Sequence, residues 1–156
     1  LKFLEEKKPL GTAGALQYLR GNKSSTFVIS NCDTITKFDY SDMIKFHKKQ
    51  KNDLTIVASS KKFTIPYGIC KIEKSGNLLK IHEKPNNYFL INIGIYCIEK
   101  KILKLIPKNK KYSFVKLIND AKRKNYKVGV FPVSHTSWHD IGQWDEYKKT
   151  VKTYDF

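Results

Sequence analysis

Thr26-Phe27-Val28-Ile29-Ser30-Asn31-Cys32-Asp33 is the stretch that decides the fold. Its first five residues are β-branched, aromatic and apolar with little polar interruption, which reads as a strand buried on both faces. It then breaks into Asn31, Cys32 and Asp33, polar groups at a carboxyl-terminal strand edge, where open α/β sheets gather their ligands. An aspartate just past a strand is also an ordinary turn former, so the position alone does not decide its use.

Working outward, Thr12 to Arg20 carries Ala13, Leu16 and Leu19 at helical spacing and closes on Gly21-Asn22, which predicts a short helix. Downstream, Asp39 or Ser41 can cap a helix whose inner stripe is Met43, Ile44, Phe46 and His47. Asp53 to Ser59 returns as a second apolar strand. Strand, helix and strand in succession predict βαβ units, hence a mainly parallel sheet with helices on both faces. Tyr67 to Glu73 and Leu78 to His82 alternate around Lys74-Ser75-Gly76-Asn77 and predict an inserted β-hairpin. Leu90 to Ile98 and Lys127 to Val133 read as further strands, Lys100 to Ile106 and Phe114 to Lys124 as amphipathic helices. A last helix is expected from about Gln143 to Lys152, with Trp144 and Tyr147 facing inward.

The chain of 156 residues is 40% hydrophobic, enough for one ordinary core, so residues 1–156 read as a single domain. The longest apolar run, Phe89 to Ile98, is interrupted by Asn92 and Gly94 and is too short to span a membrane. The first residues lack the apolar core of a secretory signal. Cys32, Cys70 and Cys97 form no C-x-x-C pair and leave one thiol over, which suits reduced cysteines and a cytoplasmic location. The net charge of +16 raises the question of nucleic acid. The excess is almost all lysine, however, with arginine only at Arg20 and Arg123, and it is scattered along the chain. We therefore expect no specific nucleic-acid partner, and an attraction for anionic substrates instead.

Several short motifs can carry chemistry. Asp33 and Asp140, if brought together, form a pair of hard carboxylates that suits Mg²⁺, an ion that keeps part of its water shell and bridges phosphate oxygens. Gly11-Thr12-Ala13-Gly14 puts small residues at a helix start, where free N–H groups meet a ligand or simply allow close packing. Tyr67-Gly68 and Asn92-Ile93-Gly94 set polar side chains beside bare backbone, as close hydrogen bonding to sugar hydroxyls requires, and each also suits a turn. Glu83-Lys84-Pro85 joins an acceptor for hydroxyls to a cation for a phosphate, or is a surface ion pair.

In this order and spacing, Leu-Gly-Thr-Ala-Gly-Ala, Asn-Cys-Asp, Tyr-Gly, Glu-Lys-Pro, Asn-Ile-Gly-Ile-Tyr and Trp-His-Asp-Ile-Gly resemble the sugar-phosphate nucleotidyltransferases, over nearly the whole chain. The resemblance implies a Rossmann-like, doubly wound fold. It implies transfer of a nucleotidyl group from a nucleoside triphosphate to a sugar 1-phosphate, releasing pyrophosphate, a reaction that rests on positioning and charge neutralisation. By similarity, Asp33 and Asp140 hold Mg²⁺, and Lys84 pairs with the sugar phosphate. Gly11, Thr12 and Ala13 line the nucleotide, while Tyr67, Gly68, Glu83, Asn92 and Gly94 surround the sugar. Where the family usually has Gly, this chain has Cys32. The family opens with a Gly-x-Gly-Thr-Arg stretch and a lysine that wrap the triphosphate, and these residues show no counterpart. The expectation is therefore the C-terminal two-thirds of such a domain, lacking its first strands and, for want of a cation typically worth a factor of about 10³ to 10⁵, inactive alone. The strand at Thr26 to Ser30 is then expected to present an unpaired edge, a surface for association into homo-oligomers. The alternative from the same resemblance is a non-catalytic paralogue that binds nucleotide sugar. Leu-Gly-Thr-Ala-Gly tilts the base toward guanine.

Overall fold

The computed structural model describes residues 3–142, together with 144 and 148. Its centre is a four-stranded sheet of β1 (Thr26–Ser30), β3 (Leu54–Thr64), β6 (Asn86–Glu99) and β7 (Val128–Val133), in the order β1-β6-β3-β7. β6 is antiparallel to both β1 and β3, and β3 is parallel to β7. Three of the four strands therefore run the same way, as the βαβ reading expects, with β6 as the antiparallel member between them. The reason lies in the insertion. β3 runs on past the sheet to Thr64, the chain turns through the hairpin of β4 (Ile69–Ile72) and β5 (Leu78–His82), and β6 comes back along β3. Strands joined by such a return pair antiparallel.

Both faces of the sheet are covered. On one, Leu54, Tyr96 and Ile98 pack with Ile102, Leu103, Ile106, Phe114, Leu117 and Ala121, so α2 (Phe114–Arg123) and the segment before it seal that side. Tyr96 and Phe114 stack with ring centroids 3.8 Å apart. On the other face, Val57, Ile93, Ile95 and Cys97 meet Met43 and Ile44 of α1 (Tyr40–Lys49), with Phe131, Val133 and Trp138 at the margin. Full burial of such a side chain stabilises by about 1.5–3 kcal/mol, so α1 is held mainly by Met43, which is completely buried. The helices start where their caps dictate. Asp39 accepts from Ser41 N at 2.7 Å, and Ser113 accepts from Lys116 N at 3.2 Å, satisfying donors that a helix N-terminus leaves open.

Two of the expected helices take the tighter 3-10 form, over Gly14–Gly21 and Lys100–Leu105. Their apolar residues explain the difference. Ala13, Leu16 and Leu19 recur every three residues, as do Ile102 and Leu105, and Leu103 and Ile106, which is the period of the tighter helix. The strand from Asp53 to Ser59 is longer than its apolar run, since β3 continues through Lys61 and Lys62. β1 has a partner on one edge, β6, and among the described residues no strand on the other. The helix expected over Gln143 to Lys152 lies outside the described residues apart from Trp144 and Lys148. Trp144 does not face inward: it is 67% exposed, with the Lys148 ammonium 5.5 Å from its ring centroid. The three cysteines are free, Cys32 and Cys70 exposed and Cys97 buried.

Candidate active site

The site is made by two strands too short for any local pattern to announce. β2 (Thr34–Thr36) and β8 (Trp138–Asp140) pair antiparallel, with Thr34 opposite Asp140 and Thr36 opposite Trp138. Ile141 N donates to Asp33 O at 2.9 Å and extends the pairing by one step. Two aspartates more than a hundred residues apart thereby face one point. A Cβ built on Gly142 would lie 2.7 Å from Asp33 Oδ2 and 3.2 Å from Asp140 Oδ1. Only a residue without a side chain leaves room between those carboxylates. Gly142 N also donates to Asp140 Oδ1 at 3.0 Å, which fixes one carboxylate.

Around them lies a cleft of about 320 Å³ lined by Asn31, Thr34, Lys61, Asn92, Tyr96 and Trp138 among others, as well as both aspartates. Gly94 has φ +78°, and a side chain there would overlap the Asn31 amide, whose Cγ lies 2.7 Å from the Cβ position. Glycine at 94 thus admits Asn31 to the cleft wall, and Asn31 N donates to Gly94 O at 3.1 Å. Asn92 is held from both ends of its amide. Its Nδ2 donates to Tyr96 Oη at 2.7 Å, and its Oδ1 accepts from Gly94 N at 3.0 Å. Burial pushes the Tyr96 phenol upward, against a smaller downward effect of the Asn92 hydrogen bond, so the hydroxyl keeps its proton at neutral pH. A larger hollow of about 730 Å³ adjoins the cleft, shares Lys61, Trp138 and Asp140 with it, and adds Lys37, Lys62 and Tyr88.

The residues singled out in the sequence fall into three places. Asp33, Asp140, Asn92 and Gly94 share the cleft. Tyr67, Gly68, Glu83 and Lys84 lie at the hairpin end, where a Cβ on Gly68 would be 3.0 Å from Glu83 Oε2. Lys84 is exposed with φ +43°, an uncommon backbone for a residue with a side chain. Gly11, Thr12 and Ala13 pack against the start of α2. Thr12 Oγ1 accepts from Phe114 N at 3.1 Å, Ala13 is fully buried, and Gly11 at φ +78° sits against the Tyr112 backbone. The sequence reading did not single out Asn31, Lys61, Tyr96 or Trp138. Asn31, Tyr96 and Trp138 stand inside the Asn-Cys-Asp, Asn-Ile-Gly-Ile-Tyr and Trp-His-Asp-Ile-Gly motifs, and their nearness to Asp33, Asn92 and Asp140 is the available signal. Lys61 had none, because its strand looks finished at Ser59.

An open sheet with helices on both faces and a polar cleft at a strand's carboxyl edge is the frame of α/β proteins that hold phosphorylated ligands. The chain belongs to the nucleotidyl transferase family, which matches residues 1–155. It is 30% identical to a probable mannose-1-phosphate guanylyltransferase 2 of Oryza sativa subsp. japonica, covering 96% of this chain and 43% of that protein. It is 32% identical to the mannose-1-phosphate guanylyltransferase regulatory subunit alpha of Dictyostelium discoideum, covering 69% of this chain and 28% of that one. The chain thus spans less than half the length of these relatives. Among solved structures, HddC from Yersinia pseudotuberculosis matches with a TM-score of 0.69 and 27% identity, over 96% of this chain and 65% of that chain. HddC has also been solved complexed with GMP-PN.

Proposed function

We propose that the protein to which these residues belong transfers a nucleotidyl group from a nucleoside triphosphate to a sugar 1-phosphate, giving a nucleotide sugar and pyrophosphate. GTP and mannose 1-phosphate are the substrates to test first, given the names its relatives carry. The observation that carries this reading is the meeting of Asp33 and Asp140 over the bare backbone of Gly142. Two carboxylates facing one point, one of them braced by a backbone N–H, fit a Mg²⁺ that retains several waters. Asp33 and Asp140 would hold it. Bound there, the ion supplies neutralisation of the negative charge on the reacting phosphates.

The chain's own groups do the rest by position. Asn31, Asn92 and the protonated Tyr96 hydroxyl offer hydrogen bonds to a polar ligand in the cleft; the Asn92–Tyr96 bond and the tie of the Asn31 backbone to Gly94 limit their reorganisation when it binds. At the hairpin end, Glu83 would accept from sugar hydroxyls beside the open backbone of Gly68, and Lys84 would approach the phosphate. Tyr67, 75% exposed, would close over the sugar. At the other end, Gly11 and Thr12 stay exposed beside the buried Ala13 and would meet the nucleotide. A reduced, cytoplasmic setting and assembly into homo-oligomers belong to the same reading. Among the described residues no helix is long and apolar enough to cross a membrane.

The likeness to a protein named as a regulatory subunit favours a second reading, in which the same cleft binds nucleotide sugar without turning it over. The test is pyrophosphate release by the protein as its gene encodes it, across a panel of nucleoside triphosphates and sugar 1-phosphates. Release that needs Mg²⁺ and both aspartates supports the transferase; saturable nucleotide-sugar binding with no release supports the second reading; neither would end both.

A further inference from the structure

Phe114 reaches both ends of the site, by its backbone at one and by its ring at the other. It opens α2, and its N–H, one of the donors a helix start leaves without a partner inside the helix, is taken by Thr12 Oγ1 at 3.1 Å. Beside it, Tyr112 N donates to Leu10 O at 2.8 Å and Ala13 N donates to Tyr112 O at 3.0 Å. These three bonds bracket Gly11, where a Cβ would lie 3.0 Å from Tyr112 O. The course of the chain from Leu10 to Ala13 is thus set by residues 112–114. The Phe114 ring, 4% exposed, lies flat on the Tyr96 ring, with centroids 3.8 Å and planes 3° apart. Tyr96 lines the carboxylate cleft, and its hydroxyl accepts from Asn92 Nδ2 at 2.7 Å. Asn92 Oδ1 in turn accepts from Gly94 N, and Gly94 O accepts from Asn31 N.

Gly11, Thr12 and Ala13 lie outside the residues lining that cleft, so an effect of one end on the other has to cross the protein or pass between bound ligands. In a close-packed interior a stacked ring does not shift without displacing its neighbour. A ligand that fixes Gly11 and Thr12 fixes the first turn of α2, hence the plane of Tyr96 and the acceptor that orients Asn92. We propose that Phe114 is a positioning residue that couples the nucleotide end of the site to the carboxylate cleft, so that a nucleotide and a sugar 1-phosphate each tighten the binding of the other, an inference that rests on the transferase reading. Coupling of this kind acts by the same factor in both directions. Direct contact between the two bound ligands does not run through Phe114, which makes the two sources separable by substitution.

The experiment titrates α,β-methylene GTP, whose bridging carbon prevents pyrophosphate release, and mannose 1-phosphate by calorimetry with Mg²⁺ present. Each is measured alone and with the other, in the protein as its gene encodes it, with melting curves to show that each variant folds. In wild type each ligand should tighten the other about 5- to 150-fold. Phe114→Leu keeps the N–H to Thr12 and an apolar side chain but has no ring, and should remove most of that factor. Tyr96→Phe keeps the stack and drops the acceptor for Asn92; it should remove the factor too, with no further loss in the double variant. Leu117→Val, at a fully buried position of the same helix, should melt lower and keep the factor. An unchanged factor in Phe114→Leu, an equal loss in Leu117→Val, or no factor in wild type would overturn the inference, while pyrophosphate release would still support the transferase reading. If wild type releases no pyrophosphate, that reading fails and the binding factor still decides for or against Phe114; failure of both ligands to bind overturns both.

Discussion

Gly142→Ala tests the site with a single methyl group. The new Cβ would lie 2.7 Å from Asp33 Oδ2, whereas ordinary contact begins near 3.4 Å. Asp33 is short, and its backbone oxygen is tied to Ile141 N, so its carboxylate must rotate away by about 0.7 Å, and Asp140 Oδ1 at 3.2 Å limits escape in the other direction. Gly142 has no positive φ, so alanine meets no backbone strain, and an exposed substitution of this kind shifts stability by about 0.5 kcal/mol or less. Misplacement on the order of 1 Å at a reacting centre costs about 10²-fold. The expected result is thus an unchanged melting curve with a loss of pyrophosphate release near a hundredfold, and weaker Mg²⁺ binding by titration calorimetry. If Gly142→Ala folds normally and keeps wild-type Mg²⁺ affinity and rate, the two carboxylates do not act together and the reasoning is refuted.

Four further outcomes are expected. Gly94→Ala places a side chain at φ +78° and against Asn31, which should cost about 1–3 kcal/mol in chemical denaturation; a neutral result would show that Asn31 moves freely. Burial, with a smaller contribution from Glu99, pushes the Cys97 thiol up to about 11, so alkylation of the folded protein should label Cys32 and Cys70 and spare Cys97; equal labelling of all three contradicts this. Asp39 is held below its ordinary value of 3.8, first by the backbone hydrogen bond from Ser41, so its stabilisation is complete above that value and is lost as pH falls through the depressed one. Asp39→Asn should keep the cap and flatten that acid loss, and an identical acid limb in both proteins would exclude Asp39 as its source. Finally, the edge of β1 opposite β6, which carries no strand among the described residues, should make residues 1–156 associate with concentration in sedimentation, and Val28→Lys, at a position 42% exposed, should reduce it; a monomeric wild type would show that the edge is otherwise protected.

Much of this fold was legible because its strands announce themselves locally. The hairpin around Gly76 follows from alternation and turn chemistry within a few residues, and Thr26 to Ser30 is a strand as its β-branched run predicts. That strand is not buried on both faces, however: none of its residues is fully buried and Val28 is 42% exposed, because it lies at the end of the sheet with a neighbour on one side among the described residues. The direction of β6 was not legible, since it depends on where the inserted hairpin delivers the chain. β3 was cut short in the reading because Lys61 and Lys62 end its apolar run, although the backbone pairing with β6 continues to Thr64. The 3-10 helices turned on the difference between a spacing of three and one of three to four, which short segments blur. In the site, Asp33 and Asp140 were marked by their motifs, but their meeting depends on three-residue strands more than a hundred residues apart. Lys61 was invisible for the same reason that β3 looked short.

Asp33 and Asp140 are to form one cation site, and a double-mutant cycle measures that most directly. Mg²⁺ would be titrated into wild type, Asp33→Asn, Asp140→Asn and the double variant by calorimetry. The prediction is that either single change removes nearly all of the affinity and that the second adds little. Independent, additive losses, or Mg²⁺ binding untouched by either change, would contradict it.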